Sequence, residues 1–208
     1  MRRIIILLTF SLILTSCRKE PDMSHMDGKC FTYTNYDRSA NFMEYDTFFI
    51  PDSILIIGSD ASPVYAKSRT AQNIINTFAH EMNKCGYERV YEMENADLGL
   101  QISYIEQTYY FLNYADSIWW WGYPEYWSPV YWGDWGYWRY TYPITFTYSI
   151  DSILTEMIDL TSQRGADNAL SVIWDCFVQN PQEQYIPKVK ALTDGITQAF
   201  NQSPYLGK

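Results

Sequence analysis

Two periods of apolar residues run through this chain and divide it into helices and strands. Val64, Ala71, Ile74, Ile75, Phe78, Met82 and Cys85 recur at the three- and four-residue spacing of an amphipathic helix. Ser62 before Pro63 predicts its N-cap and first helical position, and Gly86 the left-handed residue that ends it. A second helix is expected from about Pro187, with Val189, Leu192, Ile196, Ala199 and Phe200 on one stripe and Pro204 beyond its end.

Strand signals occupy the rest. Short strands are expected at residues 30–36, 42–50 and 87–91, with Pro51 ending the second, while residues 54–57 form an apolar segment too short for its period to decide. Leu98, Leu100, Ile102 and Tyr104 alternate with Gly99, Gln101 and Ser103, the pattern of a half-buried strand. Ile144, Phe146, Tyr148 and Ile150 alternate likewise, and Asp151-Ser152 would turn them into residues 154–160 as a hairpin. After a polar turn at residues 161–168, Leu170, Val172, Trp174, Cys176 and Val178 mark another alternating strand. The pattern predicts one α+β domain over residues 30–206: a mostly antiparallel sheet, two amphipathic helices on one face, and a long aromatic-rich loop inserted between strands.

That loop, residues 109–142, has no parallel elsewhere in the chain. Half of its 34 positions are aromatic, namely seven of the chain's eight Trp, nine Tyr and Phe111. Gly122, Pro124, Pro129, Gly133 and Gly136 interrupt it, which excludes one long helix and favours an ordered loop. Three readings follow. The rings pack on one another and on the sheet, each burying roughly 150–250 Å². Alternatively, Trp119, Trp120, Trp121, Tyr123, Tyr126, Trp127, Tyr131, Trp132, Trp135 and Trp138 form a surface for a glycan or an envelope protein, with Asp116, Glu125, Asp134 and Arg139 as polar contacts. The third reading, contact with a membrane interface, is disfavoured by the lack of lysine in the tract.

The N-terminus gives the chain an address. Arg2 and Arg3, the apolar run of residues 4–14 and small residues before Cys17 have the layout of an export signal, residues 1–16, too short to span a bilayer. Leu14-Thr15-Ser16-Cys17 resembles the lipobox of bacterial lipoproteins, which implies cleavage before Cys17 and its acylation. Two or more acyl chains, at about 0.8 kcal/mol per buried methylene, give stable anchoring in membrane lipid. Residues 18–29 are polar and aperiodic and read as a tether. Lys19-Glu20 within it loosely resembles surface-export signals of some Gram-negative bacteria, and the expected address is the outer membrane, on its periplasmic or its surface face.

Cleavage also removes two arginines, taking the formal charge from −9 to −11, a balance that excludes electrostatic binding of nucleic acid. Cys30, Cys85 and Cys176 then remain, and Cys85 and Cys176 are expected to be buried free thiols because both fall on apolar faces.

Phe42-Met43-Glu44-Tyr45-Asp46-Thr47-Phe48, Ala96-Asp97-Leu98, Trp119-Trp120-Trp121-Gly122, Glu156-Met157-Ile158-Asp159-Leu160, Val172-Ile173-Trp174 and the run Gln198-Ala199-Phe200-Asn201-Gln202-Ser203-Pro204-Tyr205-Leu206 together resemble the envelope lipoprotein family catalogued as domain of unknown function 4136. The resemblance spans nearly the whole mature chain in order. It implies a lipid-anchored α+β domain with no assigned activity and no catalytic residues to carry over. Members usually have Gly-Ser or Gly-Thr where this chain has Asp151-Ser152, and Asp tolerates the backbone geometry that turn needs.

Chemistry read from the residues alone is sparse. His25 falls in the tether and His80 on the polar side of the first helix, with no second histidine at metal-binding spacing. No nucleophile elbow, phosphate-binding glycine loop or Cys-x-x-Cys motif occurs, and no cofactor or metal is expected. The acids Glu92, Glu94 and Asp97, or Asp151, Glu156 and Asp159, could in principle supply a carboxylate pair of the kind that hydrolyses glycosides. The expectation is a non-catalytic lipoprotein with an aromatic docking loop; the alternative is a hydrolase of an envelope or dietary polymer. Cys17→Ser is expected to move the protein from the membrane to the soluble fraction, and membrane retention of that variant would place the anchor elsewhere.

Overall fold

The computed structural model describes residues 30–57, 64–106, 109–110, 129–132, 137–142, 147–148, 151–161, 169–180 and 188–208. The expected export signal, Cys17, the tether, Ser62 and Pro63 lie outside them, as do residues 162–168 of the polar turn.

Eleven strands and three α-helices are seen among the described residues. The chain runs β1 (Phe31–Tyr36), β2 (Thr47–Phe49), β3 (Ile54–Ile57), β4 (Val64–Ala66), α1 (Arg69–Lys84), β5 (Glu88–Val90), β6 (Leu98–Ile105) and β7 (Tyr109–Tyr110). It continues through α2 (Pro129–Trp132), β8 (Tyr137–Tyr140), β9 (Thr147–Tyr148), β10 (Ser152–Asp159), β11 (Ala169–Gln179) and α3 (Lys188–Asn201). The long ladders β1-β11-β10-β6 are antiparallel. Parallel pairings attach β2 and β3 to β6, β5 to β2 and β8 to β11. The architecture is α+β with a mostly antiparallel open sheet, as the periodicity predicts.

α1 starts later than its apolar spacing suggests. Val64 and its neighbours pair with β3 in the register Ile54↔Ala66, Leu55↔Tyr65 and Ile56↔Val64. Ser68 caps the helix instead, its hydroxyl accepting from the Ala71 amide at 3.2 Å. The expected end holds: Gly86 has φ +99°, its amide donates to Asn83 O at 3.0 Å and that of Tyr87 to Met82 O at 3.2 Å, the paired bonds of a Schellman motif. The expected strand at residues 42–50 is divided, because Phe42–Glu44 forms a 3-10 turn capped by Asn41 and only Thr47–Phe49 pairs.

The hairpin expected at Asp151-Ser152 is not formed. β9 pairs with β7, whereas β10 lies between β6 and β11. Asp151 adopts φ +61° at the start of β10, so the tolerance of aspartate for left-handed backbone is used, though by a different connection.

Alternation sorts the sheet's side chains onto two covered faces. Leu98, Leu100, Ile102, Ile153, Met157, Trp174, Cys176 and Val178 face α1 and α3, with Ile74, Phe78, Met82, Leu192, Ile196 and Phe200 closing that core. The Trp174 indole donates to Ser203 Oγ at 3.1 Å, which satisfies its buried N–H. Leu55, Ile105, Leu154, Ile158, Leu170, Val172 and Phe177 face the opposite way and form a second core with Trp132 and Tyr140. β6, β10 and β11 are therefore buried on both sides and not half-buried.

Cys176 is buried and Cys30 and Cys85 are half-buried; all three are free thiols. Burial, with Asp194 nearby, pushes the Cys30 thiol up to about 11. Its Sγ donates to Ala191 O at 2.9 Å, which ties the start of β1 to α3.

α3 approaches the sheet through Gly195, where an added Cβ would lie 2.4 Å from Val178 Cγ1 and 3.0 Å from Cys30 Cβ. Alanine gains roughly 1 kcal/mol of helix propensity over glycine, but overpacking costs about 1–3 kcal/mol, and Val178 belongs to a central strand that cannot recede. Gly195→Ala is expected to lower the denaturant midpoint; a raised midpoint would show that α3 slides freely over the sheet.

Candidate functional site

The second core exists because the aromatic tract returns to the sheet. Four of its residues have described side chains that define how. Trp132, at the end of α2, has no exposed surface and meets Phe49 edge-on at 5.7 Å between ring centroids. Its ring sits over Gly99, where an added Cβ would come within 2.6 Å of the indole. Tyr131 is half-buried beside it, tilted on Tyr65 at 5.7 Å. The Tyr131 hydroxyl donates to Asp52 Oδ1 at 2.6 Å and accepts from Ser53 Oγ at 2.9 Å. β8 then takes the sheet position in line with β1, pairing with Ala169–Val172 of β11 where β1 pairs with Trp174–Gln179. It delivers Tyr140 and, just beyond, Tyr142.

These side chains meet a row of polar residues that crosses the sheet. The registers Asn35↔Asp175, Glu156↔Asp175 and Glu156↔Gln101 place Asn35, Asp175, Glu156 and Gln101 side by side on β1, β11, β10 and β6. Glu156 and Asp175 have no exposed surface, and Gln101 is also buried. The Trp132 Nε1–H donates to Gln101 Oε1 at 2.9 Å, the Tyr140 hydroxyl to Glu156 Oε1 at 2.7 Å and the Tyr142 hydroxyl to Asp175 Oδ1 at 2.6 Å. The two phenol rings pack edge to face, 5.5 Å apart.

The electrostatics follow from burial. Directly opposed residues on neighbouring antiparallel strands have Cβ atoms about 5 Å apart, and two charges at that separation repel by roughly 3 kcal/mol at an effective dielectric constant of 20. Burial pushes the Asp175 carboxyl well above the usual carboxylate range; the Tyr142 hydrogen bond pulls it down, and the Glu156 charge adds to the rise. Burial likewise drives the Tyr142 phenol up, with the Asp175 charge and hydrogen bond adding to it, so this hydroxyl stays a donor. Tyr33, on β1, is raised by burial and by Asp175.

Of the ten tract residues expected to form a binding surface, Trp132 belongs to the interior instead. Its buried N–H donates to Gln101 on the sheet, and its ring fills the space that Gly99 leaves. Tyr131 is half-buried; Trp138 pairs through its backbone with Leu170; its side chain, and Trp119, Trp120, Trp121, Tyr123, Tyr126, Trp127 and Trp135, lie outside the described residues.

The two sets of candidate acids do not converge. Glu92 and Glu94 are exposed. Asp97 accepts from the Asp46 and Thr47 amides at 2.8 and 2.9 Å and from Thr47 Oγ1 at 3.0 Å; burial pushes its carboxyl up, and these bonds outweigh burial to hold it below its usual range. Asp151 accepts from the Tyr104 hydroxyl, and Asp159 accepts from the Thr161 amide and hydroxyl. Glu156 alone of these acids stands beside a buried carboxylate, and its partner Asp175 escapes the strand pattern. Leu170, Val172, Trp174, Cys176 and Val178 read as one apolar face and leave Asp175 on a face taken to be wet. Adjacent apolar pairs, Ile153-Leu154, Met157-Ile158 and Phe177-Val178, are the signal that both faces are covered.

His80 is exposed on α1. No group of three or more His, Cys, Asp or Glu gathers at metal-binding distance among the described residues, and no helix among them is long and apolar enough to cross a membrane. On the helix side a cavity of about 240 Å³ lies between Ile54, Ile56, Ala66, Ile74, Tyr104 and Leu192.

Gly99→Ala is expected to dislodge Trp132 and cost about 1–3 kcal/mol in urea unfolding. Trp132→Ala is expected to cost about 3–5 kcal/mol alone and clearly less when added to Gly99→Ala. Full additivity of the pair would show that the indole does not rest on Gly99.

Residues 32–205 match the model of the family described as domain of unknown function DUF4136. A crystal structure of a DUF4136 family protein from Bacteroides thetaiotaomicron is 40% identical, with 87% of this chain and 99% of that one covered at a TM-score of 0.76. Two fainter likenesses are a PelC dodecamer from Paraburkholderia phytofirmans, 13% identical over 86% of this chain and 99% of that one at TM-score 0.43, and a PDZ domain protein from Parabacteroides distasonis, 14% identical over 84% and 35% at 0.43. No curated protein matches the sequence. By the family model and the 40%-identical relative together, the chain belongs to the DUF4136 family.

Proposed function

We propose that the protein is an outer-membrane lipoprotein, anchored through Cys17, that acts as a non-catalytic binding module and uses the aromatic stretch around residues 119–127 to dock a glycan or an envelope protein. The observation that carries this reading is the fastening of the tract's second half. Trp132, Tyr140 and Tyr142 are each hydrogen-bonded to a buried polar group of the sheet, so residues 129–132 and 137–142 are a foundation and not part of a pendant loop. The remaining aromatics suit recognition by their chemistry, since flat rings with an N–H or O–H at the edge fit sugars and protein surfaces alike. An export signal and a lipobox-like cysteine supply the address.

The rival reading is hydrolysis of a polymer by a carboxylate pair, and Glu156 and Asp175 are the acids placed for it. Both lack exposed surface beneath the two tyrosines, and a sugar chain reaches them only after the cover lifts. Substrate access therefore favours binding over hydrolysis.

The test leaves the foundation intact. Trp119, Trp120, Trp121 and Trp127 are replaced together by Ser in the full chain, and binding to purified envelope polysaccharides and outer-membrane proteins is compared with wild type. The expected result is loss of wild-type binding with an unchanged melting temperature. A variant that melts lower or aggregates would return these rings to packing, and equal binding by both proteins would remove the docking role.

A further inference from the structure

The paired carboxylates and their tyrosines have a use apart from docking. Glu156 and Asp175 stand opposite one another on β10 and β11, both without exposed surface, and the stretch that covers them hydrogen-bonds to each. Two buried acids so close hold one charge readily and two only at high cost. We propose that the Glu156–Asp175 pair is a proton-held latch that fastens residues 137–142 onto the sheet and loosens them when the pair loses its proton.

Groups from several neighbouring elements face the pair. β1 contributes Tyr33 and Asn35, β6 contributes Gln101, and the tract contributes Trp132, Tyr140 and Tyr142. Cys176 lies on the other face of β11 within the field of Asp175, and Tyr205 is felt by Tyr142. Asp37, which Thr141 contacts, adds an acid at the margin. The phenols are poor sources of the charge change, because burial keeps Tyr33 and Tyr142 protonated above their ordinary range.

The direction follows from linkage. Asp175 binds its proton more tightly with the cover closed than when exposed, so the closed state is fully favoured below about pH 4, the ordinary carboxylate value. Closure weakens as pH rises from there towards the raised value of Asp175. A single proton limits the change to about tenfold per pH unit within that window. Opening would uncover part of the second core and present Tyr140 and Tyr142, which makes the exposure of these two rings a function of local pH.

Hydrogen exchange of peptides spanning residues 137–142 in the full chain, read from pH 5 to pH 8 and corrected for intrinsic exchange rates, tests this. Peptides of α1, on the opposite face, serve as the internal reference. The expected result is protection that falls at least tenfold relative to α1 in the wild type and stays level in Asp175→Asn, which keeps an acceptor for Tyr142 but cannot carry the charge. Glu156→Gln removes the neighbouring charge but leaves Asp175 buried and titratable, so it is expected to shrink the fall without abolishing it, and a folding failure of either variant leaves the other to decide. Level protection in the wild type, or an undiminished fall in the variant that folds, overturns the proposal.

Discussion

A buried polar atom must find a partner or exact a penalty of about 1–3 kcal/mol, more if it is charged, and on this sheet the partners come from the aromatic tract. Gln101, Glu156 and Asp175 sit in mid-strand, where all but one of their neighbours in sequence are apolar and where the side chains are buried. One indole and two phenols answer them. The same three rings bring apolar surface to Leu154, Ile158, Val172 and Phe177, so one stretch of chain supplies both the hydrogen bonds and the hydrophobic closure. Tyrosine and tryptophan are suited to this double duty, having an apolar body and one polar edge.

This division also explains the architecture. Both long helices pack on one face, leaving an eight-residue and an eleven-residue central strand bare on the other. A naked apolar sheet face is an aggregation hazard, and residues 129–132 and 137–142 cover part of this one by packing Trp132 against Phe49 and adding β8 to the edge of β11. Glycine at position 99 is part of the arrangement, since any larger residue there would occupy the indole's seat.

Much of the fold was legible in the chain, and the exceptions have physical causes. Helical spacing located α1 and α3, and Gly86 marked a helix end, because these are local signals. The start of α1 was misplaced because pairing of Val64–Ala66 with β3, a contact between separate segments, outweighed a plausible Ser-Pro cap. The hairpin at Asp151 was misplaced because the alternation of residues 144–150 says that a strand forms without saying which strand it meets. The site was less legible still. Glu156 stands out only as one of several acids, Asp175 falls opposite the apolar positions of its strand, and Trp132 falls among the rings expected at a surface, all because a two-residue period cannot distinguish a wet face from one that a distant, irregular segment will cover.

The central claim is that the cover seals two adjacent carboxylates from water, and carbon-13 NMR titration of the Asp and Glu side-chain carboxyl carbons tests it most directly. The account predicts that the Asp175 signal titrates well above the exposed acids, and that Tyr142→Phe, which removes the bond that lowers it, shifts it higher still. An Asp175 signal that titrates with the surface carboxylates, near pH 4, would show that water reaches the pair and that the aromatic stretch does not close the sheet.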